Sequence, residues 1–367
     1  MIHADTSGPH SRVTSIGVDR MSPLRLAILG CGTIARDTHL PAFRAAGPER
    51  VDVTVFASRS ASSAAAAAAE WGGGATVTDW QDVLTRDDVD AVDICAPNAL
   101  HAQMAIQAAE AGKHVLVEKP MATSLAQAAA MIAAAQAAGV VLMPAHNLRF
   151  APRSLAAAQL VAAGQLGEIV GVRASLEHTG PQDWAPGADW FFDSGQAGGG
   201  ALLDLGVHLV DLIRAVTGDE LDEVTALTRP RPGCAGIENA AEVGFRLAGG
   251  AAGSLRASWE TTPAAGMGLT LAGTEGTLTV GAGTAVLRDA RGSAREVAVP
   301  AAVNPYALFA DACAGRVPPP VTGRDGQAAL AGVLAAYAAA AGRRTVSVPQ
   351  FVRDGLARGP EPGLLRR

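Results

Sequence analysis

Charge, cysteine and long apolar runs are all scarce in this chain. Charged residues make up 17% of its 367 residues and the net charge is -6, which gives no electrostatic footing for nucleic acid. No basic run and no basic-aromatic interleaving offers one either. The four cysteines, Cys31, Cys95, Cys234 and Cys313, are scattered without metal-ligand spacing. Neither a metal site nor a disulfide framework is therefore expected, and a reducing cytoplasm is the expected compartment. The first 22 residues are polar and lack the apolar core of a signal peptide. No unbroken apolar run of about 18 residues reads as a membrane span. The alanine tract at 64–69 is too short for one and reads as helix surface of high propensity. Neither a membrane nor a nucleic acid is expected as a partner, and no internal repeat stands out.

What is present is a hydrophobic fraction of 49% over a length that suggests two domains. The expected division is a flexible arm at 1–22, one domain at 23–146, a second at 147–348 and a flexible tail at 349–367. In the first domain short apolar runs at 26–29, 51–57, 75–78, 91–96, 115–118 and 140–144 alternate with helical patterns at 34–45, 60–71, 80–84, 99–111 and 124–138. That alternation predicts a parallel sheet with right-handed crossovers. Beyond 146 the texture changes. Helices are expected at 154–163, 201–216, 304–314 and 324–341, and a loop rich in Trp, Pro, Asp and Gly at 179–200. Alternating runs at 169–178, 223–229, 241–247, 253–259, 267–272, 276–280 and 285–288, joined by tight turns, predict an open, mostly antiparallel sheet.

Gly30-Cys31-Gly32-Thr33-Ile34-Ala35 follows the first strand and opens a helix. The first glycine permits the tight turn, and the second lets backbone approach a pyrophosphate. The small third residue lets helix and strand pack closely, and the helix N-terminus faces the phosphates. In this setting the motif predicts a Rossmann dinucleotide-binding domain, with Gly30, Gly32, Thr33 and Ile34 at the cofactor. The alternative is a plain glycine-rich turn. Cys31 reads as a small filler, not a redox group.

An acid at the end of the second strand would bond a ribose 2′-hydroxyl and favour NAD. The chain has Ala57-Ser58-Arg59-Ser60 there, and Asp52 lies too early in the strand. Ser58 can bond a 2′-phosphate and Arg59 can pair with it or stack on adenine. NADP(H) is favoured and NAD(H) stays open; a solvated loop arginine is the plainer reading of Arg59.

Glu118-Lys119-Pro120 closes the strand expected at 115–118. Ligands of a parallel sheet lie outside the carboxyl ends of its strands, so a lysine there faces a cofactor or substrate unless it is merely solvated. Downstream, Gly198-Gly199-Gly200 leads into a helical run in which Asp204 and His208 are four apart and Asp211 is seven from Asp204. Regular helix geometry places all three on one face amid apolar neighbours, where an acid and an imidazole must be partnered or line a cleft. Three readings stay open: a buried structural pair, a metal site thinly supported by a single histidine, and an acid/base pair in which the carboxylate orients the imidazole. In the loop before this helix, Trp184 and Trp190 offer faces suited to sugar C–H surfaces; ordinary packing is the competing reading.

These residues, with Pro97-Asn98-Ala99-Leu100-His101 and Ala111-Gly112-Lys113-His114-Val115-Leu116-Val117-Glu118-Lys119-Pro120, occur in an order that resembles the glucose-fructose oxidoreductase and inositol dehydrogenase family (Gfo/Idh/MocA) over roughly 24–348. The resemblance implies an α/β chain: an N-terminal Rossmann domain, then a C-terminal α+β domain with a large open, mostly antiparallel sheet that builds homodimers or homotetramers. It implies an NAD(P)-dependent dehydrogenase or reductase acting on CH–OH groups of a sugar, cyclitol or related polyol. By the same resemblance Lys119 is the catalytic lysine, and Asp204 and His208 match acid/base positions that also meet substrate. Pro97, Asn98, His101, Glu118 and Lys119 fall on the cofactor side, and Arg149 matches an arginine at the domain junction that is expected to reach substrate. Some relatives of this kind are cofactor-assisted glycoside hydrolases and others are non-catalytic dinucleotide sensors. The joint presence of Lys119, Asp204 and His208 argues against a sensor.

Overall fold

The computed structural model describes residues 22–281 and 283–358. Six strands, β1 (Leu24–Leu29), β2 (Val51–Ala57), β3 (Ala75–Val77), β4 (Ala91–Ile94), β5 (His114–Val117) and β6 (Leu142–Pro144), form a parallel sheet in the order β3-β2-β1-β4-β5-β6. This is the doubly wound arrangement, with its switch point between β1 and β4. The strands read as continuous apolar runs because helices cover both faces; Leu26 to Leu29 and all of β4 are buried. The exception in β4 is Asp93, a carboxylate at 0% exposure.

Nine strands make the second sheet: β7 (Ile169–Glu177), β8 (Leu221–Pro230), β9 (Glu238–Leu247), β10 (Ala252–Ser258), β11 (Gly266–Gly273), β12 (Gly276–Val280), β13 (Ala285–Asp289), β14 (Ala294–Glu296) and β15 (Val346–Ser347). Their order is β14-β13-β12-β11-β7-β10-β9-β8-β15, and every neighbouring pair is antiparallel except β7 with β10. The expected α/β chain with a mostly antiparallel second sheet is what is found. The edge strands β14 and β15 have no counterpart in the sequence reading: β14 is exposed at every residue and β15 is two residues long, so neither shows an alternating pattern.

The last part of the chain returns to the first domain. The helix Pro305–Cys313 packs beside the helix Leu40–Ala46, and Asn304 Nδ2 donates to the Ala42 carbonyl at 2.8 Å. The long helix Gly323–Gly342 starts with a capping box between Thr322 and Asp325. It runs so close to β6 that a Cβ at Gly326 would sit 2.6 Å from Pro144.

Two features depart from the sequence reading. Residues 348–358 are a helix, not a loose tail. Pro349 suits the start of a helix, Phe351 and Val352 pack on the main core, and Gln350 Nε2 donates to Asp354 one turn on at 2.6 Å. Residues 1–21 of the arm expected at 1–22, and 359–367 of the expected tail, lie outside the described residues. Second, two expected α-helices begin with a π turn: Ala35–His39 ahead of Leu40–Ala46, and Leu202–Gly206 ahead of Val207–Thr217. A π turn widens the helix by one residue and is frequent at functional sites. A Cβ at Gly206 would meet Leu202 Cδ1 at 2.6 Å, so a larger residue in this turn requires the Leu202 side chain to shift.

Candidate active site

The glycine-rich turn leaves β1 beside the end of β4. Gly30 has φ +106°, and a Cβ there would lie 2.4 Å from the Cys95 carbonyl. Only glycine fits that position. Gly32 has open space where its Cβ would stand, and Thr33 and Ile34 open the helix. The turn is thus an unobstructed backbone cradle at a helix N-terminus, which fits a pyrophosphate at the switch point. Cys31 is buried, its Sγ 3.6 Å from the Ala57 carbonyl, and burial pushes its thiol up to about 12. It fills space as expected.

After β2, the Ser58 amide is spent on the Val77 carbonyl at 3.1 Å, and Ser60 caps the next helix by accepting from the Ser63 amide. Arg59 is exposed and has no ion-pair partner among the described residues. Arg36, in the π turn that follows the glycine-rich turn, is bonded to Glu70.

After β4, Pro97 precedes the helix Asn98–Glu110. Two residues expected at the cofactor here are committed to protein instead. Asn98 is buried and its Nδ2 donates to the Ala197 carbonyl at 2.8 Å, tying this helix to the second domain. His101 is fully buried, with its ring nitrogens 2.8 Å from the carbonyl oxygens of Pro120 and Ala96. It braces the turn that carries Lys119, which is joined to Pro120 by a cis peptide bond.

Lys119 and Asp204 meet across the two domains. Lys119 Nζ donates to Asp204 Oδ1 at 2.6 Å and to the Asp204 carbonyl at 3.2 Å. The side chains are 14% and 7% exposed, so the pair is largely desolvated. Burial opposes the charge on Lys119, but Asp204 and then Glu118 outweigh it and raise the ammonium above its ordinary range. Trp259 completes the pair, its indole Nε1 donating to Asp204 Oδ2 at 3.0 Å.

His208 lies beside this pair, with its Nδ1 buried and unbonded to protein. Burial first, then Lys119 and His146, holds its imidazole well below the ordinary range. The expectation that Asp204 orients His208 and raises its basicity is therefore corrected. Lys119 takes Asp204 Oδ1 and the Trp259 indole takes Oδ2, so both carboxylate oxygens are held by other partners. Asp211 is likewise not a member of an acid/base row. It is bonded to Arg149, Nε to Oδ2 at 2.9 Å, with a second, shorter contact from the same guanidinium.

That pairing engages two nitrogens of the Arg149 guanidinium with protein. Its guanidinium joins the turn Asn147–Phe150 to the helix Val207–Thr217 and reaches Asp325 at 3.8 Å. Asp211 is only 1% exposed, and cutting one side of such a pair costs about 3–5 kcal/mol. Arg149→Ala is expected to lower Tm measurably while the sugar KM changes little. An unchanged Tm with a raised KM would place Arg149 at the substrate instead. Of the expected aromatic contacts, Trp184 is 37% exposed and edge-on to Phe191. Trp190 stacks on Phe191 at 3.9 Å within the small core that also holds Trp259.

Several site residues escaped sequence reasoning. Trp259 carried one available signal, since a buried indole N–H needs an acceptor. Glu238 is another: it accepts from the Gly200 and Leu202 amides at 3.1 and 2.7 Å and from the Tyr337 hydroxyl at 2.8 Å. It thereby anchors the start of the π turn that presents Asp204, and burial pushes its carboxyl up to about 7. His146, 1% exposed with both ring nitrogens unbonded to protein, stands 6.4 Å from His208 ring to ring.

Fold and site together define a two-domain dinucleotide protein with a desolvated lysine–carboxylate pair at the domain junction. The first domain matches "Oxidoreductase family, NAD-binding Rossmann fold" over residues 24–146, and the second matches "GFO/IDH/MocA C-terminal domain" over 154–279. The chain belongs to this Gfo/Idh/MocA family of oxidoreductases. It is 36% identical over 328 residues to a 1,5-anhydro-D-fructose reductase of Ensifer adhaerens, covering 86% of this chain and 96% of that one. It is 33% identical over 238 residues to a D-xylose 1-dehydrogenase (NADP(+)) of Haloferax volcanii, covering 65% and 70%. A solved levoglucosan dehydrogenase in complex with NADH and levoglucosan superposes with a TM-score of 0.81 at 26% identity, over 89% of this chain and 100% of that one. Among the described residues no helix is long and apolar enough to cross a membrane.

Proposed function

We propose that this oxidoreductase moves a hydride between a nicotinamide and a hydroxyl-bearing or carbonyl carbon of a sugar, cyclitol or related polyol, with NADP(H) preferred. The observation that carries the site assignment is the desolvated Lys119–Asp204 pair, 2.6 Å apart at the carboxyl edge of the parallel sheet with His208 beside it. The sugar class is supported by the substrates named for the anhydrofructose reductase and the levoglucosan dehydrogenase.

When bound, the nicotinamide supplies the hydride carrier. The chain's own residues supply charge and proton handling. Two of the three Lys119 ammonium hydrogens point at Asp204, leaving one for the reacting oxygen. As a cation, Lys119 stabilises negative charge on that oxygen as it develops, in a site where water screens little. His208 is held neutral and its Nδ1 is unbonded, so it can accept the hydroxyl proton during oxidation and return it during reduction. Asp204 holds Lys119 in place, and Trp259 holds Asp204.

The NADP(H) preference is supported by Arg59, exposed and uncommitted just past β2, and by the absence of an acid at that strand's end. A panel of inositols, aldoses, keto-sugars and anhydro-sugars assayed with both cofactors tests the proposal. The expected result is turnover of at least one pyranose-like compound, with kcat/KM higher for NADP(H) and that advantage lost in Arg59→Ala. Several-fold better kcat/KM with NAD(H) overturns the cofactor reading, and no turnover across the panel overturns the substrate class.

A further inference from the structure

The π turn Ala35–His39 delivers a histidine into the interior of the first domain, beneath the crevice. His39 is fully buried. Its Nδ1 lies 2.8 and 3.0 Å from the two oxygens of Asp93, and its Nε2 lies 2.8 Å from Glu118 Oε1. The other oxygen of Glu118, Oε2, accepts the backbone amide of Lys119 at 2.9 Å. Lys119 in turn donates to Asp204, and Asp204 accepts from Trp259. An imidazole between two carboxylates is satisfied at both nitrogens only as a cation. Burial disfavours that charge, but Asp93 outweighs it and raises His39 well above its ordinary range. Burial likewise opposes the Glu118 anion, and His39 and Lys119 overcome it. The result is a buried row of alternating charge, Asp93, His39, Glu118, Lys119 and Asp204, that starts in β4 and ends on the site helix of the second domain.

We propose that His39 is a positioning residue for Lys119. By clamping Glu118 as a carboxylate, it fixes the backbone at Lys119 and maintains the negative neighbour that keeps the Lys119 side chain charged. This rests on the reading of Lys119 as catalytic. His39 meets no reacting atom; it acts only through Glu118. The other groups facing His39 are the Cys95 thiol, 3.4 Å from Nδ1, and the ring of Tyr306, centred 4.8 Å away. Neither bears charge at neutral pH, because burial pushes both upwards. Lys119 faces Asp204 and Glu118 as anions and the imidazoles of His101, His146, His178 and His208.

The test is the pH profile of kcat/KM for His39→Asn, for Glu118→Gln and for the double variant, with cofactor affinity and Tm measured alongside. Without its cation, Glu118 takes up a proton more readily, and Lys119 loses a negative neighbour. The limb of the profile that reports Lys119 is expected to move to lower pH. Because the Lys119 turn is also loosened, kcat/KM should fall by about tenfold to a hundredfold, the scale of a small displacement in an oriented site. Adding His39→Asn to Glu118→Gln should change kcat/KM little further, since the path runs through Glu118. A His39→Asn profile that superimposes on the wild type, whatever happens to Tm, overturns the proposal. Full additivity in the double variant overturns it too. If His39→Asn does not fold, Asp93→Asn carries the test: the same limb must move the same way, and an unmoved limb is contradictory. Lys119→Ala keeps the two readings apart. Its loss of turnover with an unmoved His39→Asn profile sinks the relay alone, and its full activity sinks the reading of Lys119 beneath it.

Discussion

Asp204→Ala is expected to destabilise the protein by about 3–5 kcal/mol at neutral pH and to reduce turnover sharply, because it strands a buried ammonium. Lys119 Nζ would lose its 2.6 Å acceptor, and the indole of Trp259 would lose its 3.0 Å one. The stability loss has a defined pH window. Lys119 is raised above its ordinary 10.5, so its contribution to wild-type stability is fully present below that value and is lost as pH climbs through the folded-state pKa. The Tm gap between wild type and Asp204→Ala should therefore be constant across neutral pH and close only in strong alkali. Asp204→Asn keeps an acceptor for Trp259 while removing the charge, so it should recover part of the stability and little of the turnover. Thermal melts across pH together with steady-state kinetics check this. A gap that closes near neutrality would contradict the pairing.

Lys119→Ala is expected to lower kcat by about two to four orders of magnitude, the range spanned by losing one aimed charge or proton donor in a desolvated site. The effect should fall on kcat more than on cofactor affinity. The glycine cradle at Gly30 and Gly32 and the loop at Arg59 lie at other strand ends and do not depend on the lysine. Stability should suffer less than in Asp204→Ala. The residue left behind is an aspartate that keeps its Trp259 partner, whereas in Asp204→Ala the remaining charge is a lysine with no counter-ion bonded to it.

The parts of this architecture that were legible in the sequence are those written locally. The strand–turn–helix around Gly30, the strand end at Lys119 and the alternation of β7 to β13 each depend on neighbours within a few residues. The pairings that define the site do not. Lys119 and Asp204 are 85 positions apart, Arg149 and Asp211 are 62 apart, and Asp204 and Trp259 are 55 apart. The spacing of Asp204 and His208 suggested a shared face and a mutual bond. It assumed a regular helix, and the π turn at Leu202–Gly206 re-aims the carboxylate toward the other domain. The same device hid His39, whose partners Asp93 and Glu118 come from the ends of different strands. The protein hydrogen bonds made by Asn98, His101 and Arg149 are equally non-local. Sequence order locates a polar side chain near a crevice; whether its donors face the crevice or brace the walls depends on which backbone carbonyls and carboxylates the second domain brings against it. The helix at 348–358 was missed because its proline and glycine suggest a tail, while its stability comes from packing Phe351 and Val352 on a core assembled elsewhere.

The most direct measurement is a paired titration and turnover assay on Lys119→Ala, with the same protein preparation used for both. Cofactor affinity is read by nicotinamide fluorescence and turnover by nicotinamide absorbance with the best sugar from the panel. Near-wild-type affinity for the dinucleotide with kcat reduced by about two orders of magnitude or more is the predicted result. Retained turnover would contradict the assignment of the chemistry to Lys119 and its Asp204 partner.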